Sequence, residues 1–589
     1  MAKSYKEYIS ICKEQFEDLK KFYEKLGYSS EQVKKLTASC FGAEIVVEGS
    51  ARYSEDWEFY RRVKRSPVDD LKEAVQANGF MGGIFTQKSA KARSSMSAPA
   101  MCGAVMDSAM PMPGMPCPEP VMADEEMPEF NSAETYDAKE IEESSPLDNP
   151  QLIFSANVNT ASWSYIRNMI KTGRRLDRSF VRIEEIINSY HYKLKKPTDG
   201  ELFSVTVEKG GCPWNKENEL MLVGLRGKKA DKDIKQNIAL LIDVSGSMSD
   251  RWLLVQMSAA AIISKLKKGD HLSIIAYSDN TVTVAKKISC GDMDECVKAL
   301  ISVDGIGGCT NGSKGLENAY SFLKDNYNKD GNNRIFIFTD GDFNFGVTSE
   351  GGLAEYIRKK RETGIYISIV GYGRENFKDN KMEALARNGN GNYTFIANPS
   401  DILEQLWKKL ISNLVTIAKD VKISIELNPQ FVEKYRLIGY DARMLTQQEF
   451  YDTEKAVDGI GSNHNVVAMV ELRRGKAEKK YSNRYVNTSS SADSSEFAFI
   501  EIHYKTPDNE NMVFTKAVTI DEIEGAGSKN IPVATLLAGF GLLVRDSEYK
   551  GEMSKEMLSE MLKDIGKNEK YDINEKDSHF DIIGRYLKK

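Results

Sequence analysis

Asp243-Val244-Ser245-Gly246-Ser247 places three oxygen-bearing side chains at alternate positions directly after an apolar run, Ala239-Leu240-Leu241-Ile242. A curled loop can aim Asp243, Ser245 and Ser247 at one point. All three offer oxygen, and none offers nitrogen or sulfur. Such a set suits hard cations such as Mg²⁺, which take near-octahedral oxygen ligands at roughly 2.0–2.1 Å. Three side chains do not fill six positions, so more oxygens must come from elsewhere in the chain, from water or from a partner. Asp, Ser and Gly are also ordinary turn residues that bond their own backbone, so this loop alone leaves both readings open. Two later stretches add oxygen. Gly307-Gly308-Cys309-Thr310-Asn311-Gly312 is glycine-rich and presents the Thr310 hydroxyl just before a helical pattern, Ser313 to Leu323. Arg334-Ile335-Phe336-Ile337-Phe338-Thr339-Asp340 is a second buried-type strand ending in a carboxylate.

The surrounding elements must bring these loops together. A helical segment, Arg251 to Lys268, follows the first loop. Strands are expected at 271–277, 281–288, 365–370 and 393–397, and helices at 292–301, 351–363, 376–387 and 400–417. Strands alternating with helices imply a mostly parallel sheet covered on both faces. Strand, oxygen-rich loop, helix is the layout of a ligand site at the carboxyl end of a parallel strand.

The order, spacing and strand-end placement of Asp243, Ser245, Ser247, Thr310 and Asp340 resemble the metal-ion-dependent adhesion site of the von Willebrand factor A domain. The resemblance implies a Rossmann-like α/β domain over 235–418. It implies that the Ser and Thr hydroxyls touch the metal and that the two carboxylates often act through water. An open position would then remain on the ion for an Asp or Glu of a protein partner. Mg is the expected ion, with Mn or Ca possible, since all accept oxygen ligands.

Further stretches resemble the YfbK-type bacterial family from about 145 to the end of the chain. These are Ser145-Pro146-Leu147-Asp148-Asn149-Pro150, Asn159-Thr160-Ala161-Ser162-Trp163-Ser164, Val181-Arg182-Ile183-Glu184-Glu185-Ile186-Ile187-Asn188 and Cys212-Pro213-Trp214-Asn215. Gly459-Ile460-Gly461-Ser462-Asn463-His464, Phe540-Gly541-Leu542-Leu543-Val544-Arg545-Asp546-Ser547 and Tyr549-Lys550-Gly551 carry it onward. The chain departs from the family at Asn157 and Asn159, where aspartates are expected. The family's usual export signal is also missing.

The remaining organisation follows from composition and periodicity. Residues 1–87 form a small helical unit, with Ile9, Cys12, Phe16, Leu19, Phe22, Tyr23 and Leu26 recurring at three and four. It is expected to pack its own small core, the alternative being a docking module. Residues 88–144 are Met/Pro-rich, then acidic, and read as a disordered linker. Residues 145–234 combine helices (160–172, 180–190) with strands (202–209, 219–226). Residues 419–525 are β-rich, with strands at 421–427, 466–472, 497–504 and 514–520. The strands before the A domain complete that unit, so the A domain is inserted in it. Residues 526–589 are helical. His464 is read as structural. Gly371-Tyr372-Gly373 is read either as rim of the metal edge or as turn glycines.

The totals narrow the function class. The 589 residues carry a formal charge of −6 and a sequence pI near 5.8, against a general nucleic-acid binder. Eight scattered cysteines without a C-x-x-C pair argue against a zinc site or disulfide framework. The start has no apolar core of signal-peptide length, and Ile531 to Val544 is too short to span a bilayer. The expected location is cytoplasmic. The leading expectation is a metal-dependent protein-binding module rather than an enzyme. No G-x-S-x-G elbow or P-loop lysine motif is present. The alternatives are a scaffold whose metal site is only structural and a metal-assisted hydrolase.

Overall fold

A computed structural model describes residues 17–41, 139–156, 159–230, 234–278, 281–303, 312–329, 331–341, 350–372, 379–403, 405–406, 415–475, 495–525, 528–567 and 578–588. A helix over 17–25 and α1 (Ser30–Phe41) come first. β1 (Gln151–Ser155), α2 (Ala161–Thr172), α3 (Ile183–Ser189), β2 (Phe203–Gly211) and β3 (Asn218–Gly227) precede the central unit. That unit runs β4 (Gln236–Asp243), α4 (Trp252–Ile263), β5 (His271–Tyr277), β6 (Thr281–Ser289), α5 (Met293–Ile301), α6 (Gly312–Asp325), β7 (Asn332–Thr339), α7 (Glu350–Arg361), β8 (Ile365–Tyr372), α8 (Asp379–Asn388) and β9 (Tyr393–Ile396). β10 (Thr416–Leu427), β11 (Val432–Ile438), β12 (Ile460–Gly461), β13 (Asn465–Arg474), β14 (Glu496–Lys505) and β15 (Asn511–Thr519) follow. The chain closes with α9 (Ile531–Arg545), α10 (Lys555–Gly566) and α11 (His579–Leu587).

The central sheet has the order β6-β5-β4-β7-β8-β9. Its strands are parallel apart from the antiparallel β5–β6 pair. Successive side chains of a strand point to opposite faces, and β4 shows the result. Ile238, Leu240 and Ile242 enter one core with α4 and α5. Ala239 and Leu241 enter a second core with α6, α7 and α8. Burial on both faces is why this strand reads as a continuous apolar run rather than an alternating one.

The sequence reading of the N-terminal unit needs correction. Leu19, Phe22, Tyr23, Leu26, Val33 and Leu36 do not close a core of their own but join the core of α4 and α5. The Tyr28 hydroxyl donates to the Ala260 carbonyl at 2.7 Å, and Gln32 Nε2 donates to Asp294 at 2.8 Å. α4 is consequently buried at every position from Leu254 to Ile263, as a helix covered on both sides must be. The rest of the expected unit, 1–16 and 42–87, lies outside the described residues.

A β-sandwich makes the second unit. One sheet runs β1-β10-β14-β15, with β12 also on β10; the other runs β11-β13-β3-β2. Their inner faces share a core that includes Phe154, Phe203, Val223, Ile423, Val470 and Ile500. β3 pairs antiparallel with β13 from Asn218↔Arg473 to Arg226↔Asn465. The central α/β unit therefore sits between two strands of one sheet, as the sequence implied. The outer face of β3 and β13 presents Leu220, Leu222, Val467 and Met469 to α2, α3, α9, α10 and α11.

Three further differences stand out. The closing helix does not reach Ile417, because Thr416 and Ile417 already belong to β10. β1, β11 and β12 were not expected; β11 reads V-E-K-Y-R-L-I, and its charges break the apolar pattern. Of the expected linker, the described residues 139–144 already join the fold, since Ser144 and Tyr435 exchange backbone hydrogen bonds of 2.9 and 2.8 Å.

Candidate metal centre

β4 ends at Asp243, whose side chain is buried. The parallel register pairs Ile242 with Phe338, so Asp340 stands one residue beyond the level of Asp243 on the neighbouring strand. Two carboxylates thus reach the same edge of the sheet. Asp243 Oδ1 accepts a hydrogen bond from the Ser245 amide at 2.9 Å. That bond curls the loop and brings Ser245 Oγ to 3.1 Å from Ser247 Oγ. Ser245 is buried and Ser247 is exposed, so the pair runs from the interior to the surface. β7 stops in a turn at Gly341, whose φ of 96° suits a residue without a Cβ. The Gly341 amide donates to Thr339 Oγ1 at 3.1 Å.

Burial dominates the electrostatics. It pushes the Asp243 carboxyl up to about 6, with the charge of Asp340 acting in the same direction and hydrogen bonds from Ser245 opposing it. Tyr277, level with Asp243 on β5 and fully buried, is pushed well above its ordinary value, again mainly by burial. Asp243 Oδ2 is buried without a hydrogen-bond partner of good geometry among the described residues. An ionised oxygen left unpaired in the interior is costly, and a bound cation would satisfy it. The donor set at this edge, two carboxylates and two hydroxyls, fits a hard divalent ion. No group of three or more His, Cys, Asp or Glu placed to hold a metal ion occurs among the described residues, so a metal here depends on the hydroxyls.

Four of the five residues singled out from sequence, Asp243, Ser245, Ser247 and Asp340, lie at this edge. Thr310 falls outside the described residues. Sequence reasoning missed Arg251, which closes the turn after the loop. Its NH1 donates to the Ser247 carbonyl and lies 3.4 Å from Asp340 Oδ2. Nothing in the spacing marks Arg251, because the contact depends on how the turn folds back. Gly371 is a packing glycine: a Cβ there would stand 2.7 Å from the Tyr393 hydroxyl. Its neighbour Tyr372 is buried, and Gly373 lies outside the described residues. The His464 backbone serves a turn, its carbonyl accepting from the Gly227 amide at 2.9 Å.

Comparison with known proteins finds family matches between residues 130 and 580. The von Willebrand factor type A domain family matches residues 237–409, and a von Willebrand factor family matches 130–222. The family described as "Uncharacterized protein YfbK, C-terminal" matches 412–580. The protein "Uncharacterized protein YfbK" of Escherichia coli (strain K12) is 30% identical over 436 residues, 70% of this chain and 74% of that protein. The chain belongs to the YfbK family of von Willebrand factor A domain proteins. Inter-alpha-trypsin inhibitor heavy chain H3 of Mesocricetus auratus is 27% identical over 181 residues, 29% of this chain and 20% of that protein. The solved ArnB paralog VWA2 from Sulfolobus acidocaldarius is 14% identical, with a TM-score of 0.31, over 66% of this chain and 98% of that one. Proximal thread matrix protein 1 of the mussel byssus, solved "with zinc occupied MIDAS motif", is 16% identical, with a TM-score of 0.27, over 34% of this chain and 50% of that one.

Two positions within the YfbK-like stretches outside the A domain, Cys212 and Trp214, close on one buried carboxylate. Cys212, Trp214, Asn218 and Arg436 all direct hydrogen bonds at the buried Glu471, at 3.6, 3.4, 2.7 and 2.9 Å. Burial, with Glu471 beside it, pushes the Cys212 thiol up to about 12. Asn159 Oδ1 accepts from the Tyr393 amide at 3.4 Å, which seats this departure from the YfbK pattern against β9. Asn157 lies outside the described residues.

Proposed function

We propose that this protein is a divalent-metal-dependent protein-binding module. Mg²⁺ is the ion the donor set favours. Asp243, Ser245, Ser247, Thr310 and Asp340 would hold it, and an Asp or Glu of the partner would complete its shell. One observation carries the reading: a buried Asp243 oxygen with no hydrogen-bond partner of good geometry among the described residues stands beside two clustered hydroxyls, one of them open to solvent. The bound ion would supply a positive, under-neutralised centre. The chain's own residues orient it from inside and leave the Ser247 side accessible.

Binding fits this edge better than catalysis. Metal-assisted hydrolysis needs an activated water or nucleophile, often with two ions about 3.5–4 Å apart. The histidine on the strand next to Asp243, His271, pairs with Asn237 at the other end of β4, about 20 Å away at strand rise.

The test is affinity capture on the immobilised full chain in Mg²⁺, followed by elution with chelator, alongside an Asp243→Ala control. A protein retained by the wild type, released by chelator and absent from the control supports the reading. Capture that survives both chelator and Asp243→Ala overturns it. A melting shift with Mg²⁺ and no metal-dependent capture would instead leave a purely structural metal.

A further inference from the structure

We infer that Arg251 is a built-in counter-cation of the metal centre, which stands in for the ion when the site is empty and recognises the partner's acid when it is filled. The inference rests on the metal-dependent binding proposed above. The short turn over Gly246–Arg251 folds the guanidinium back across its own loop. NH1 donates to the Ser247 carbonyl and lies 3.4 Å from Asp340 Oδ2, with the arginine side chain 23% exposed and the aspartate side chain 7% exposed. Arg251 Nε is buried without a hydrogen-bond partner among the described residues. The guanidinium charge therefore stands beside the candidate ligands, held there by Ser247 and Asp340 rather than spent on a deeper partner. It presents a planar fork matched to a carboxylate.

Charge explains what this placement does. Asp243 and Asp340 are two negative charges, and Arg251 is a permanent positive one. Without a metal the cluster is net negative by one and repels an acidic partner. A divalent ion reverses it to net positive by one, which one carboxylate neutralises. Without Arg251 the loaded site would already be neutral and would hold an acid less strongly. The same positive charge opposes the incoming ion. Arg251 therefore weakens metal binding and strengthens acid binding, and it ties the second event to the first.

The test uses the full chain with Arg251→Gln and Arg251→Lys. Calorimetry reads Mg²⁺ affinity. Relaxation of water bound to Mn²⁺ in the loaded protein reads displacement by acetate, a minimal carboxylate. Melting curves in chelator verify that both variants fold. Removing the charge should tighten Mg²⁺ at least about tenfold, the Coulomb effect of a unit charge roughly 6 Å from a divalent ion even at the dielectric of water. It should also raise the acetate needed for half displacement severalfold, while Arg251→Lys stays near wild type. Unchanged or weaker Mg²⁺ binding in Arg251→Gln overturns the inference, as does equal behaviour of the two variants. A wild type that binds no divalent ion overturns the metal reading itself, which separates the two failures.

Discussion

Arg167 and Asp401 meet as an ion pair with side chains 1% and 0% exposed. They join α2, which precedes the A domain, to the turn after β9, which ends the domain's sheet. The Asp401 carboxylate also accepts from the amides of Ala397 and Asn398 at 2.9 Å each, so this carboxylate is paired and hydrogen-bonded as burial requires. Thr160 Oγ1 donates to Gln405 at 2.7 Å nearby. The contact holds the A domain against the helical layer of the chain.

Breaking this pair from one side leaves a buried charge uncompensated. Arg167→Met and Asp401→Asn should each cost about 3–5 kcal/mol. The double variant should lose less than the sum, because the second change removes the stranded charge. Urea unfolding of the three variants measures this. Single losses under about 1 kcal/mol would mean the pair does not secure the junction.

Metal-free stability should carry an Asp243 signature in pH. Its folded value of about 6 lies above the ordinary 3.8. Between these values the native state binds the extra proton, so this group's contribution falls as pH rises from about 4 to about 6 and is level above that. The difference between 3.8 and about 6 corresponds to about 3 kcal/mol. Asp243→Asn removes the buried charge. In chelator it should melt higher than wild type at pH 8 and close to it at pH 4. A variant that melts lower at pH 8 would show that the carboxylate is well compensated without metal.

Mg²⁺ should reverse that penalty. At a hundred times its dissociation constant, an ion that binds only the folded state stabilises by about 2.7 kcal/mol. Ser245→Ala should weaken the effect and Asp243→Asn should abolish it. Because proton and metal compete for Asp243, Mg²⁺ affinity should fall as pH drops through about 6 and be level above it. Thermal melts across a Mg²⁺ and pH grid give both results.

The N-terminal helices should behave as part of the A domain. Leu36 is buried in the core shared with α4, and Leu36→Ala should cost about 2–5 kcal/mol. Tyr28→Phe removes one buried hydrogen bond to Ala260 and should cost about 1 kcal/mol. Amide exchange in α4, around Ala259 to Ile262, should accelerate in Leu36→Ala. Unchanged exchange there would mean the helices do not cover this face.

Much of the A domain was legible because its signals are local. A buried parallel strand needs an unbroken apolar run, and β4 and β7 have one. The oxygen-bearing residues follow those strands directly, so their shared edge could be inferred from alternation alone. The fate of Leu19, Tyr23 and Leu36 was not legible. An apolar stripe states that a helix must be covered, not by what. β11 was missed because Arg436 and Glu471, both nearly buried, form an ion pair 2.9 Å apart across two strands. A single stretch of sequence shows such a charge as a surface residue.

The sequence by itself determined which residues carry oxygen at strand ends and that the α/β unit interrupts a β-rich one; the von Willebrand A type entered as a resemblance. Those features depend on period, order and residue type, which are properties of short segments. Only the tertiary structure decided that Asp243 is buried at the sheet edge, that Arg251 turns back toward Asp340, and that Arg167 finds Asp401. Each of these depends on packing between segments far apart in the chain. Burial, which sets the cost of an unpaired charge, exists only once they have met.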